Sequence, residues 1–302
     1  MEKNLSTGIF LVGSIASLAL LAPDSESAPR VQEIHHLISD DLAIREDVIS
    51  SVLGVGGGFF MNPDWSPDGK KIAFDFSTAV LPSAICIVKA DGTELQRIAE
   101  GEDPSWSPDG NQITFVHERS DRPENEIWIM NADGTNRYLL TDGSDPDWGK
   151  NGKIVFANGT DLWTINPDGS GVQRLTYDSE PETYPEWSPD GYQIAFTRDK
   201  QRMLNIWKMA ADGSSQMQLT TKGGMAPSWS PDGQWIAFES DRWGGKDDLW
   251  AVRNNKMEDV VHLAAGFEEA GRPAWSPDGK KILFEGVREF KVDDGLFVMT
   301  LQ

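Results

Sequence analysis

The 302-residue chain carries 48 acidic and 27 basic side chains, a formal net charge of −21. That balance excludes a nucleic-acid-backbone binder, which needs a basic face to release counterions, and it opposes docking on an anionic membrane. A single cysteine, Cys86, excludes an internal disulfide framework and a cysteine-cluster zinc site.

At the N-terminus, Gly8 to Ala22 (GIFLVGSIASLALLA) is uncharged and mostly apolar behind Lys3. It falls short of the ~20 residues of a membrane span and suits the apolar stretch of a secretory signal. Ser25 and Ser27 are small enough for cleavage after Ser27. Residues 1–27 are therefore predicted as a signal peptide and 28–44 as a lead-in, with an uncleaved or buried anchoring helix as the alternative. The following 45–302 are predicted as one domain.

That domain is a repeat. The string WSPDG begins at Trp65, Trp106, Trp187, Trp229 and Trp275, and a degraded copy, WGKNG, begins at Trp148. The period is about 42 residues, within the range of propeller blades. A proline stands two places before every one of these tryptophans, from Pro63 to Pro273. After each turn comes a short apolar run such as KIAF at Lys71–Phe74 or QIAF at Gln193–Phe196. A second run follows, such as IWIM at Ile127 or LWAV at Leu249, then an Asp-Gly turn and a strand ending near Leu-Thr. Ser-Pro-Asp-Gly suits a tight turn, because proline presets φ at its second position and glycine accepts the left-handed region. The pattern predicts an all-β chain: a six-bladed β-propeller of four-stranded antiparallel blades. The tryptophans read as packing between blades. Cys86 stands where Trp128, Trp163, Trp207 and Trp250 stand in other blades, and reads as a small buried hydrophobe.

The last repeat ends at its second turn, so the ring must be closed by an N-terminal strand, which also hides a pairing edge. Leu53 precedes Trp65 by the same interval at which Leu175 precedes Trp187. That spacing assigns the closing strand to roughly Asp47–Val55. The alternative makes Asp40–Leu53 an amphipathic helix and lets Val31–Ile38 close the ring.

Repeats of the form P-x-W-S-P-D-G…I-x-F…I-W-x-M-x-x-D-G…L-T resemble those of the C-terminal propeller of TolB, the periplasmic component of the Tol-Pal system. They are also similar to the non-catalytic propellers of prolyl-oligopeptidase-like peptidases. The resemblance covers about residues 47–302 and implies an exported, periplasmic or secreted propeller with a protein or peptide of the cell envelope as partner. TolB carries an α/β domain ahead of its propeller, which is not expected in the short stretch before the repeats here. No G-x-S-x-G nucleophile elbow occurs, so the hydrolase chemistry of the peptidase relatives is not expected.

Strand order puts the SPDG and Asp-Gly turns on one face and the longer, variable second-to-third loops on the other, the usual place for binding. Those loops carry Arg119, Arg122, Arg202, Arg242 and Arg288, a basic exception in an acidic chain. With Trp243, read as an exposed neighbour of Arg242, they are the candidate partner contacts. The inner strands frame a central channel, where Asp64, Asp103, Asp145, Asp147 and Glu186 flank the constant prolines. Asp103 and Asp145 are further candidates for partner binding. The five carboxylates together would suit a hard cation such as Ca2+ or a partner's basic side chain, with Arg272 as a competing neighbour. No cofactor is required by any motif. His35, His36, His117 and His262 fall in places that do not assemble a catalytic constellation. The expectation is a monomeric binding propeller, with a metal-dependent carbohydrate lyase or lactone hydrolase as the alternative.

Overall fold

The computed structural model describes residues 28–39, 59–78, 81–119, 124–242, 244, 246–264, 267–288 and 294–302. Six four-stranded antiparallel sheets form the ring. The inner strands of blades one to six are Phe59–Trp65, Glu102–Trp106, Ser144–Trp148, Glu182–Trp187, Met225–Trp229 and Phe267–Trp275. In blades one to five the four strands follow one another as a simple meander, blade six takes its outer strand from the N-terminus, and the signature tryptophan ends every inner strand.

The turns form for a local reason. In Ser66-Pro67-Asp68-Gly69 the Gly69 N–H donates to Ser66 O at 2.8 Å, and Gly69 takes φ +69°. The Ser66 hydroxyl donates to Asp68 Oδ1 and accepts the Lys71 N–H, tying the turn to the next strand. The same pair of bonds recurs at Ser107, Ser188, Ser230 and Ser276. Blade three has no such serine, and Asn151 accepts the Lys153 N–H in its place. The degraded motif therefore still turns.

Packing runs between blades. Phe74, Phe156, Phe196, Phe238 and Phe284, the last residues of the apolar runs, are fully buried. One cluster, for example, joins Val155, Leu162 and Leu175 of blade three to Trp187, Phe196 and Met209 of blade four. Five of the six signature tryptophans are buried, as expected of interblade packing. Cys86 is a buried free thiol, pushed up to about 12 by burial. It shares its core cluster with Phe60 and Phe76, whose rings lie 5.0 Å apart.

The closing strand is Val31–Ser39, not Asp47–Val55. It pairs antiparallel with Asp294–Leu301, setting Ile34 opposite Met299 and His36 opposite Phe297. Leu37 is buried in the cluster between blades six and one. The N–H of Gln302 donates to Arg30 O, fastening the two ends. Counting back from Trp65 misplaced the strand because a closing segment pairs with the far end of the chain, so the repeat spacing does not bind it. Ring closure by an N-terminal strand holds, and it begins inside the segment assigned as a lead-in. Residues 40–58, including Asp47–Val55 and the alternative helix, lie outside the described residues.

Candidate functional site in the central channel

Every inner strand carries the same irregularity. The residue three places before the tryptophan lies in the left-handed region: Asn62, Asp103, Asp145, Tyr184, Ala226 and Arg272 have φ of 47–49°. Pairing with the second strand shifts register at each of these places. A bulge of this kind breaks the two-residue alternation of a strand. Three consecutive residues per blade, instead of alternate ones, then face the axis. They enclose a channel cavity of about 170 Å³.

The layer next to the tryptophans holds Asp64, Ser105, Asp147, Glu186, Ser228 and Ala274. Its side chains bind blade to blade. Asp64 accepts the Trp106 N–H at 2.8 Å, Ser105 that of Trp148 at 3.1 Å, and Asp147 that of Trp187 at 2.6 Å. Glu186 accepts the Trp229 N–H at 3.1 Å, and Ser228 that of Trp275 at 3.2 Å. Ala274 has no acceptor; at that junction the Trp65 indole donates to Ala274 O instead. Burial in the narrow channel pushes Asp64 up to about 7 against the Trp106 N–H, which favours the anion. Asp147 is raised to about 6 by burial, and Glu186 well above the usual range by burial and then by Asp147.

The second layer holds Asn62, Asp103, Asp145, Tyr184, Ala226 and Arg272. Arg272 reaches across it. Its guanidinium bonds Asn62 Oδ1, approaches the Tyr184 hydroxyl at 3.4 Å, and pairs with Glu285 at 3.3 Å. Burial would lower its basicity, but Glu285, Tyr184, Asp103 and Glu239 together raise it. Asp103 is held well above the usual carboxylate range by burial and then by the neighbouring Asp145; Asp145 is raised by burial.

Behind this layer stand three carboxylates that the sequence reading did not single out. Asp75 is fully buried and accepts from Asn62 Nδ2 at 2.8 Å and from the Asp103 N–H at 3.1 Å. Its other oxygen has no partner among the described residues, and burial raises the carboxyl to about 6. Glu239 accepts the Arg272 N–H at 2.8 Å and is raised by burial to about 7. Glu285 is raised by burial to about 8. The signal was present: in blades one, five and six a carboxylate directly follows the buried phenylalanine (Phe74-Asp75, Phe238-Glu239, Phe284-Glu285), where the others carry Val116, Ala157 and Thr197.

All five predicted channel carboxylates therefore line one cavity, but Asp64, Asp147 and Glu186 each spend an oxygen on a neighbouring blade. Among the described residues no three of His, Cys, Asp and Glu form a group able to hold a metal ion. Of the basic loop candidates, the described Arg119, Arg202 and Arg242 belong to blades two, four and five. Arg119 pairs with Glu126 at 2.8 Å. The Arg242 side chain is only 3 % exposed, pairs with Glu258 at 3.4 Å, and lies over the rings of Phe238 and Trp250, so it is no exposed anchor. Arg202 is exposed at the tip of the blade-four hairpin. Arg122 and Trp243 lie outside the described residues, as does the side chain of Arg288.

Residues 145–291 match the family model for the TolB beta propeller domain. A search of curated protein sequences returns no match. Among solved structures, a putative TolB from Agrobacterium tumefaciens is similar with a TM-score of 0.62 at 19% identity, over 81% of this chain and 91% of that one. A gluconolactonase from Xanthomonas campestris is similar with a TM-score of 0.64 at 14% identity, over 91% of this chain and 95% of that one. An oligogalacturonate lyase in complex with manganese is similar with a TM-score of 0.55 at 14% identity, over 91% of this chain and 94% of that one. Likeness at this identity speaks to the fold, which hosts binding proteins and enzymes alike. Six blades of one repeat and an N-terminal strand closing the ring make the chain a six-bladed β-propeller, whose later blades match the TolB beta propeller domain.

Proposed function

We propose that this propeller is an exported binding protein that takes a protein or peptide partner on its loop face, over the acidic mouth of the channel. The observation that carries the reading is an excess of acidic over basic groups in one channel. Five carboxylates and a single guanidinium line the channel, and Asp103 and Asp145 sit side by side in the layer that Arg272 spans. Such a mouth attracts basic groups and speeds their encounter. The export assignment rests on Gly8 to Ala22; among the described residues no helix is long and apolar enough to cross a membrane. Immobilised protein should capture an envelope partner in low salt, and Asp103→Asn/Asp145→Asn should weaken that capture by about tenfold, the equivalent of 1.4 kcal/mol. Equal capture by the variant would reject the channel mouth.

A second reading draws on the same carboxyls. Asp64 at about 7 could hold and release a proton near neutrality, as a lyase or lactone hydrolase requires. That enzyme would need a channel metal, Ca2+ being the natural fit to carboxylates. Metal bound stoichiometrically to the purified protein, and lost in Asp103→Asn/Asp145→Asn, would favour it over simple binding.

A further inference from the structure

A separate cavity of about 230 Å³ opens where blade six meets blades five and one, lined by Phe59, Met61, Glu239, Asp247, Glu269 and Val287 among others. It exists because blade six is bare at this level. Gly286 pairs with Gly295, where the corresponding pairs are His117–Glu126, Arg198–Asn205 and Ser240–Asp248. Gly271 is bare too, since a Cβ there would meet Glu239 Oε2 at 2.2 Å. One wall is apolar: Phe59, 58 % exposed, stands with Met61 and Val287.

The other wall is acidic and incompletely satisfied. Glu239 is 7 % exposed, yet only its Oε2 is bonded, to the Arg272 N–H; its other oxygen lacks a partner among the described residues. The side chains of Asp247 and Glu269 have no ion-pair partner among the described residues either. Burial, and then the neighbouring Asp241 and Glu269, raise Asp247. Asp247 and Glu269 stand exposed at the mouth, and Glu239 lies beneath them with Arg272 as its one cation among the described residues, so the wall carries an excess of acidic groups that a cationic ligand would complement. The volume is below the ~300–1,000 Å³ of a drug-sized pocket, so it suits one side chain and not a whole small molecule.

We propose that this cavity seats one arginine or lysine side chain of the bound partner, with its cationic head among Glu239, Asp247 and Glu269 and its methylenes along Phe59, Met61 and Val287. The inference rests on the partner-binding reading above and assigns that partner a basic anchor residue. Arginine fits the arrangement well: its planar donors can serve several carboxylates, and its stem can lie on an aromatic ring.

The test is calorimetric titration of the full chain with acetyl-Gly-Leu-Arg-Leu-Gly-amide and with the same peptide carrying citrulline, the uncharged isostere. The arginine peptide should bind about tenfold more tightly, and Asp247→Asn/Glu269→Gln should remove that preference. Glu239→Gln, which keeps an acceptor for the Arg272 N–H, should reduce it with little change in melting temperature. Equal binding of the two peptides, binding of neither, or an undiminished preference in Asp247→Asn/Glu269→Gln would overturn the pocket. If that last result comes with a preference lost in Asp103→Asn/Asp145→Asn, the pocket falls and the channel mouth stands. If the pocket variant removes the preference while Asp103→Asn/Asp145→Asn leaves envelope capture intact, the pocket stands and the channel mouth falls.

Discussion

The indole-bearing residue of each repeat matters as much for its backbone as for its ring. Its N–H is turned toward the preceding blade, and the residue before the tryptophan there decides whether it is satisfied. In blades one to five that residue is Asp64, Ser105, Asp147, Glu186 or Ser228, and each accepts the bond. Carboxylates that read in the sequence as metal ligands are therefore also structural acceptors, a role that spacing cannot reveal because the partner lies in the next repeat. Ser105→Ala should leave the buried Trp148 N–H without this acceptor and cost about 1–3 kcal/mol. Ala274→Ser should add the bond that the sixth junction lacks and contribute about 0.5–1.5 kcal/mol. Thermal melts of the two variants should move in opposite directions; a shared direction would refute this account of the junctions.

At the scale of the element, turns were the most legible feature, because Ser-Pro-Asp-Gly carries its conformation in its own side chains. The axial bulge was not legible. Non-glycine residues with positive φ are uncommon, and a residue before proline is biased toward extended backbone. Tyr184, Ala226 and Arg272 nevertheless adopt φ near +48° because the ring repeats the constraint six times. Inward placement of the variable residues around each proline was foreseen; that three in a row face the axis was not. The closing strand was misplaced because its pairing is non-local, set by Asp294–Leu301 across the ring. Leu37→Ala should accordingly cost about 2–5 kcal/mol, the usual loss for a buried leucine. Had Asp47–Val55 closed the ring, that loss would fall on Leu53 instead, and denaturant titration of both alanine variants distinguishes the two arrangements.

Across the whole molecule the acidic groups divide into two sets with opposite pH behaviour. Turn carboxyls such as Asp68, held at about 2 first by Lys70 and then by the turn's own donors, stabilise the fold at higher pH and lose that contribution as pH falls below 3.8. Channel carboxyls behave in reverse. Asp64, at about 7 against 3.8 unfolded, and Glu285, at about 8 against 4.5, bind more protons in the folded state. Their contribution is complete below the unfolded values and is lost as pH rises through 7 and 8. Melting temperature should therefore peak on the acid side of neutrality and decline toward pH 8. Arg272 limits that decline, because it is the one guanidinium lining the channel, touching blades one and four and pairing with Glu285 of its own blade. Arg272→Gln removes the counter-charge from Glu285 and Glu239 while keeping a polar side chain. Breaking a buried pair of this kind costs about 3–5 kcal/mol. The loss should be larger at pH 8, where those carboxyls must ionise, than at pH 5, where they hold protons and need no partner. A loss equal at the two pH values would mean that Arg272 acts by filling space and not by charge.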